Sequence, residues 1–310
     1  MRGLAISLVV LGHTNQGIAH RGWWGASTVG HDLQAFIYAF HMPAFFFVSG
    51  VFLNKSVEKR GMLHFTLGKL RTILYPYILW TCVYLLASVL FSRFMLQTTP
   101  SFHTVLSPLV TGEGGWFLPS LFFCLMLGML GRRVSKPFFF LLTVAALFWM
   151  PTTSISFVDR GIRELPFLTL GMWIGNAYTQ FERLPRPAAA LASASLGFGL
   201  GMMTLRFSLD VGPIFLAFGT LGTLLLLLAA TVVGHSALAR GLAWIGQASF
   251  GVFLMAPFPQ GAGRALLEGL RITSPYPQLL LPTLLAVLIP AWIYHHRMRL
   301  RLGWLFVSPW

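Results

Sequence analysis

Residues 214–233 read IFLAFGTLGTLLLLLAATVV, an unbroken apolar run without a single charge. Coiled as an α-helix at about 1.5 Å per residue, a run of that length extends about 30 Å, the thickness of a bilayer's hydrocarbon core. A membrane barrel would need strands of about ten residues with apolar and polar positions alternating. This run does not alternate. Working outward, the same character fills the chain: 56% of its 310 residues are hydrophobic and 10% are charged. A soluble domain carries about 25% charged residues, so lipid must solvate much of this surface. In lipid only helices and closed barrels satisfy their own backbone. The expected class is all-α, a polytopic transmembrane helical bundle.

Ten spans are read, near residues 2–19, 33–53, 72–92, 116–131, 137–154, 165–179, 188–206, 212–234, 241–260 and 277–296. The loops between them are short, no composition shift divides them and no internal repeat is visible, so residues 1–310 read as one integral membrane domain. With a cytoplasmic N-terminus, the inner loops hold 15 of the 22 Lys and Arg residues but only Glu58 and Glu182 of the 8 acids. The outer loops then hold the remaining 7 basic and 6 acidic residues. That bias satisfies the positive-inside rule with both termini cytoplasmic. It also accounts for the net charge of +14 by topology, which argues against nucleic acid as a partner. Cys82 and Cys124 both lie inside apolar runs and read as small buried residues rather than a disulfide.

Two histidines stand where lipid makes them costly. His13 lies eleven residues into the first span from Arg2, and His41 lies eight residues into the second from Leu33. At helical rise these are about 16 Å from the inner end and about 12 Å from the outer end. Antiparallel neighbours would thus bring both imidazoles to similar depth, where ionisable groups suggest function. Pro43, two residues past His41, predicts a kink that frees a backbone carbonyl near it. Ser49-Gly50 permits close helix approach.

These segments carry a resemblance. Arg2-Gly3-Leu4 followed by Leu8 through His13, with ten residues between Arg2 and His13, resembles the opening helix of the acyltransferase 3 family of integral membrane proteins. The run from Phe40-His41-Met42-Pro43 to Ser49-Gly50 resembles that family's second-helix motif, most closely in its fucose-4-O-acetylase-like branch. Fainter echoes follow in Lys69 to Tyr77, in Trp116-Phe117-Leu118, and in Leu165-Pro166-Phe167 through Gly175. Two departures stand out. Relatives usually carry a short cytoplasmic stretch ahead of the first Arg-Gly, where this sequence reads Met1-Arg2. Their late motif usually ends in histidine, where this sequence reads Ser249 through Ala256.

The resemblance implies an O-acyltransferase. It would carry an acyl group, usually acetyl from cytoplasmic acetyl-CoA, to a hydroxyl of an extracytoplasmic carbohydrate, typically in a bacterial inner membrane. No bound cofactor or metal is expected; acyl-CoA is a donor substrate. His13 is the candidate general base, since histidine titrates near neutrality, and a covalent acyl-histidine relay is the alternative. His41 either orients His13 or donates a hydrogen bond to the oxyanion. Arg2, Lys69 and Arg71 are candidates for the phosphates of CoA, because cationic heads match phosphate. Glu113, in a glycine-flanked turn, and Trp116 are candidates for the sugar. Two other classes fit the same spans: a transporter or exporter of a sugar or small polar metabolite, and a non-catalytic family member.

Overall fold

The computed structural model describes residues 1–95, 115–149, 153, 155–207, 212–234 and 236–309. The described residues are helical throughout and contain no strand. In chain order the helices are α1 (Arg2–His20), α2 (Val29–Tyr38), α3 (His41–Arg60), α4 (Met62–Lys69), α5 (Tyr75–Met95), α6 (Phe117–Gly131) and α7 (Lys136–Trp149). They continue as α8 (Ser156–Ile174), α9 (Arg186–Thr204), α10 (Gly212–Val233), α11 (Ala237–Gln247), α12 (Ser249–Met255), α13 (Pro257–Gly269) and α14 (Pro275–His296). A π-helical turn, Leu70–Leu74, joins α4 to α5.

Among the described residues, five helical segments are long and apolar enough to cross a membrane: Val29–Arg60, Met62–Leu90, Arg186–Thr204, Gly212–Val233 and Pro275–His296. The pair α11 and α12, bent by 61° at Ala248, makes a sixth if taken together. Helices α6 and α7 are apolar but shorter. Helix α1 falls outside this set because its C-terminal half runs His13-Thr14-Asn15-Gln16, and α8 because it carries Asp159, Arg160, Arg163 and Glu164. A polar stretch inside a packed bundle lowers apparent hydropathy without removing the helix from the membrane.

The chain folds as two compact units. The first comprises Met1–Phe45 and Asn176–Leu300. Its core joins Ile6, Val9 and Val10 of α1 to Ala248, Val252 and Ala256, and to Ala286, Val287 and Ala291 of α14. The α1 residues recur at helical spacing, so one stripe faces inward. Small residues bring backbones together: a side chain at Gly3 would collide with the Leu242 backbone. Ala256, which takes the place of the late-motif histidine, is buried among these aliphatic side chains.

The second unit comprises Phe46–Gly175 and Arg301–Trp310. Here Gly50 of α3 lies against the carbonyl of Leu168, and Gly171 of α8 lies against the carbonyl of Phe47. This reciprocal pair of glycines is the close approach that Ser49-Gly50 suggested. The tail is pinned by polar contacts: Trp80 Nε1–H donates to the Leu305 carbonyl at 2.9 Å, and the Ser308 amide donates to the Arg71 carbonyl at 3.2 Å. Both cysteines are free; Cys124 is buried with its Sγ 3.1 Å from the Gly161 carbonyl.

One local expectation is corrected. The sequence predicts a second span kinked at Pro43. The helix instead breaks at Ala39–Phe40, and Pro43 sits in the first turn of α3. Proline costs little there, because first-turn N–H groups have no intrahelical partner to lose.

Candidate active site

The site begins with the polar C-terminal half of α1, whose residues tie it to neighbouring helices. Thr14 Oγ1 donates to the Val10 carbonyl at 2.9 Å and accepts from Gln260 Nε2 of α13 at 2.6 Å and from Thr283 of α14 at 2.9 Å. Asn15 is fully buried. Its Nδ2 donates to the Gly30 carbonyl at 2.7 Å and to Gln34 Oε1 at 3.0 Å, and its Oδ1 accepts from Trp24 Nε1 at 3.0 Å. Asn15 therefore fastens α2, and the loop before it, onto α1.

That attachment sets α2 so that Tyr38, its last residue, faces His13. The Tyr38 ring approaches to 2.9 Å of where a Cβ on Gly12 would stand, so the glycine beside His13 makes room for it. The ring lies edge-on to both histidines, with centroids 6.2 Å from His13 and 4.7 Å from His41. The two imidazoles thus share one phenol as a neighbour. His41 is buried and His13 is exposed.

A backbone carbonyl assigns the tautomer of His41. The Ile37 carbonyl lies 2.8 Å from His41 Nδ1. A carbonyl only accepts, so His41 carries its proton on Nδ1 and leaves Nε2 bare. The Tyr38 hydroxyl lies 3.4 Å from both Gln16 Oε1 and His13 Nδ1. Both distances are long for hydrogen bonds, which keeps these contacts weak.

The remaining sequence candidates fall in separate places. Arg2 lines a cavity of about 380 Å³ with Gly3, Ala230, Gly234, Leu242 and Gln247, at the opposite end of the first unit's α1 from Gln16. Lys69 and Arg71 belong to the second unit, where the Lys69 ammonium lies 5.3 Å over the Phe65 ring. Trp116, also in the second unit, carries the Arg160 guanidinium 5.0 Å over its ring. Glu113 lies outside the described residues. Sequence reasoning missed Tyr38, Asn15 and Gln16. The available signal was spacing: a tyrosine three residues before His41 and a polar triplet directly after His13.

An apolar helical protein thus holds an exposed imidazole, a tyrosine and a buried second histidine in one cluster. The chain matches the acyltransferase 3 family model, described as an acyltransferase domain, over residues 1–296, and it belongs to that family of membrane acyltransferases. No curated protein and no solved structure matches it.

Proposed function

We propose that this protein transfers an acyl group, most simply acetyl, from cytoplasmic acyl-CoA to a hydroxyl of an extracytoplasmic carbohydrate, as in the fucose-4-O-acetylase-like branch of its family. The observation that carries the reading is the His13–Tyr38–His41 cluster midway along α1. The chain acts as one domain in a bacterial inner membrane, with about ten spans and both ends cytoplasmic. Its partners are lipid, the acyl-CoA donor and the glycan acceptor.

His13 Nε2 takes the proton of the acceptor hydroxyl as its oxygen attacks the thioester carbon. The tetrahedral oxyanion then collapses, the C–S bond breaks, and the CoA thiolate leaves with a proton returned by the imidazolium. His41, its Nδ1–H tied to Ile37, has no proton to offer an oxyanion while neutral. Its role is to hold Tyr38 in place, and through Tyr38 to orient His13. Arg2 lies at the inner end of the same helix, about 16 Å below His13 by helical rise. There it binds the phosphates of CoA. Glu113 and Trp116 contribute to the acceptor side.

The test is mass spectrometry of cell-surface glycans from cells with and without the gene. A set of glycans lighter by one acetyl group in the deletion strain, restored by the wild-type gene and not by His13→Ala, supports the reading. Unchanged glycans overturn it.

A further inference from the structure

Helix α13 places a second polar group beside the base. Gln260 and Arg264 lie one turn apart on α13, and both reach the Thr14 turn of α1: Gln260 bonds the Thr14 hydroxyl, and Arg264 Nη2 lies 3.5 Å from the Thr14 carbonyl. The Arg264 guanidinium occupies the place where a Cβ on Gly17 would stand. His13 and Gly17 are four residues apart, so they share one face of α1. The guanidinium therefore rests about one helical turn, roughly 5 Å, further along α1 than His13. It stands on the other side of that face from Tyr38.

The Arg264 guanidinium has no ion-pair partner of its own among the described residues, because the nearby acid, Glu268, pairs with Arg21 at 2.9 Å. Its Nε is buried without a hydrogen-bond partner. Burial, and after it the charge of Arg21, press its pKa down, with Glu268 opposing. A half-buried guanidinium gains most from a carboxylate or phosphate, whose geometry matches its fork. A neutral sugar requires no such group.

We infer that the acceptor is anionic, a sugar or glycan unit bearing a carboxylate or phosphate, and that Arg264 binds this charge so that a hydroxyl of the same unit reaches His13. The inference rests on the acyltransferase reading. Gly17 is then needed because it leaves room for the Arg264 head.

Binding to the full chain in nanodiscs tests this by calorimetry with glucuronate, glucose 6-phosphate and glucose as probes. Wild type should bind at least one of the two anions at least tenfold more tightly than glucose, and the tighter anion distinguishes carboxylate from phosphate. Arg264→Gln should bring the preference below twofold, and Arg264→Lys should retain part of it. Gly17→Ala, which displaces the head while keeping its charge, should weaken the preference and leaves the test intact if Arg264→Gln fails to fold. Binding of neither anion, no preference over glucose, or a preference unchanged in both Arg264→Gln and Gly17→Ala overturns the inference. Acetyl-CoA binding measured on the same samples tests the underlying reading separately. An anion preference without acetyl-CoA binding would sink the acyltransferase reading and leave the anion site standing.

Discussion

Replacing Asn15 with alanine should damage this protein more than its modest size suggests. The side chain is fully buried and makes three hydrogen bonds, at 2.7, 3.0 and 3.0 Å, to Gly30, Gln34 and Trp24. Alanine removes all three and leaves the buried Trp24 N–H without its partner, while the Gly30 carbonyl keeps its helical bond. The stranded group costs about 1–3 kcal/mol and each further lost bond about 0.5–1.5 kcal/mol, so the loss should be about 2–4 kcal/mol. At about 2 °C or a little more per kcal/mol for a chain of this size, the melting temperature should fall by about 4–10 °C. Asn15→Asp should be worse. It exchanges the donor Nδ2 for an oxygen facing the Gly30 carbonyl and Gln34 Oε1, and it buries a charge. The assay is thermal unfolding in detergent in a Cys82→Ser background, which removes the exposed thiol, followed by a thiol-reactive dye that then reports exposure of the buried Cys124. Activity of the surviving fold should fall as well, because α2 carries Tyr38. Asn15→Ala as stable as wild type, or Asn15→Asp more stable than Asn15→Ala, would refute the reasoning.

Further outcomes follow from the same geometry. Tyr38→Phe removes two weak hydrogen bonds and keeps the ring between the imidazoles, so acyl transfer should drop by about three- to tenfold, corresponding to roughly 0.7–1.4 kcal/mol; Tyr38→Ala should cost far more, and equal rates for the two variants would contradict a bracing role for the ring. Gly50→Ala presses a methyl group against the Leu168 carbonyl and should destabilise the protein by about 1–3 kcal/mol, read as lost thermal stability in detergent. Trp80→Phe removes the bond to Leu305, about 1 kcal/mol, and limited proteolysis should then cut the segment after Arg301 faster than in wild type.

The membrane class was legible from residues 214–233 because an uncharged apolar run of bilayer length has few other uses. The meeting of His13 and His41 in one cluster was legible because depth along antiparallel helices follows from counting residues. The tyrosine between them was not, since an aromatic residue on an apolar helix reads as packing until its neighbours are known. The break at Ala39–Phe40 was hidden for a related reason: proline marks a helix boundary within a few residues, and Pro43 marked the start of α3 rather than a kink inside it. Arg264 lies beyond the ninth span as read from the sequence. Only its contact with Gly17, across some 250 positions of chain, reveals that it belongs beside His13. Counting apolar residues also treats α1 as marginal, although each polar side chain from Thr14 to Gln16 has a partner inside the first unit.

The central claim is that His13 Nε2 removes the acceptor proton. The most direct measurement is the rate of labelled acetyl transfer from acetyl-CoA to membrane glycan by wild type and His13→Ala, in vesicles where both proteins insert to equal levels. Loss of a general base costs about 10²–10⁴ in rate, so the account predicts a fall of at least a hundredfold with acetyl-CoA affinity unchanged. Transfer within threefold of wild type would contradict it.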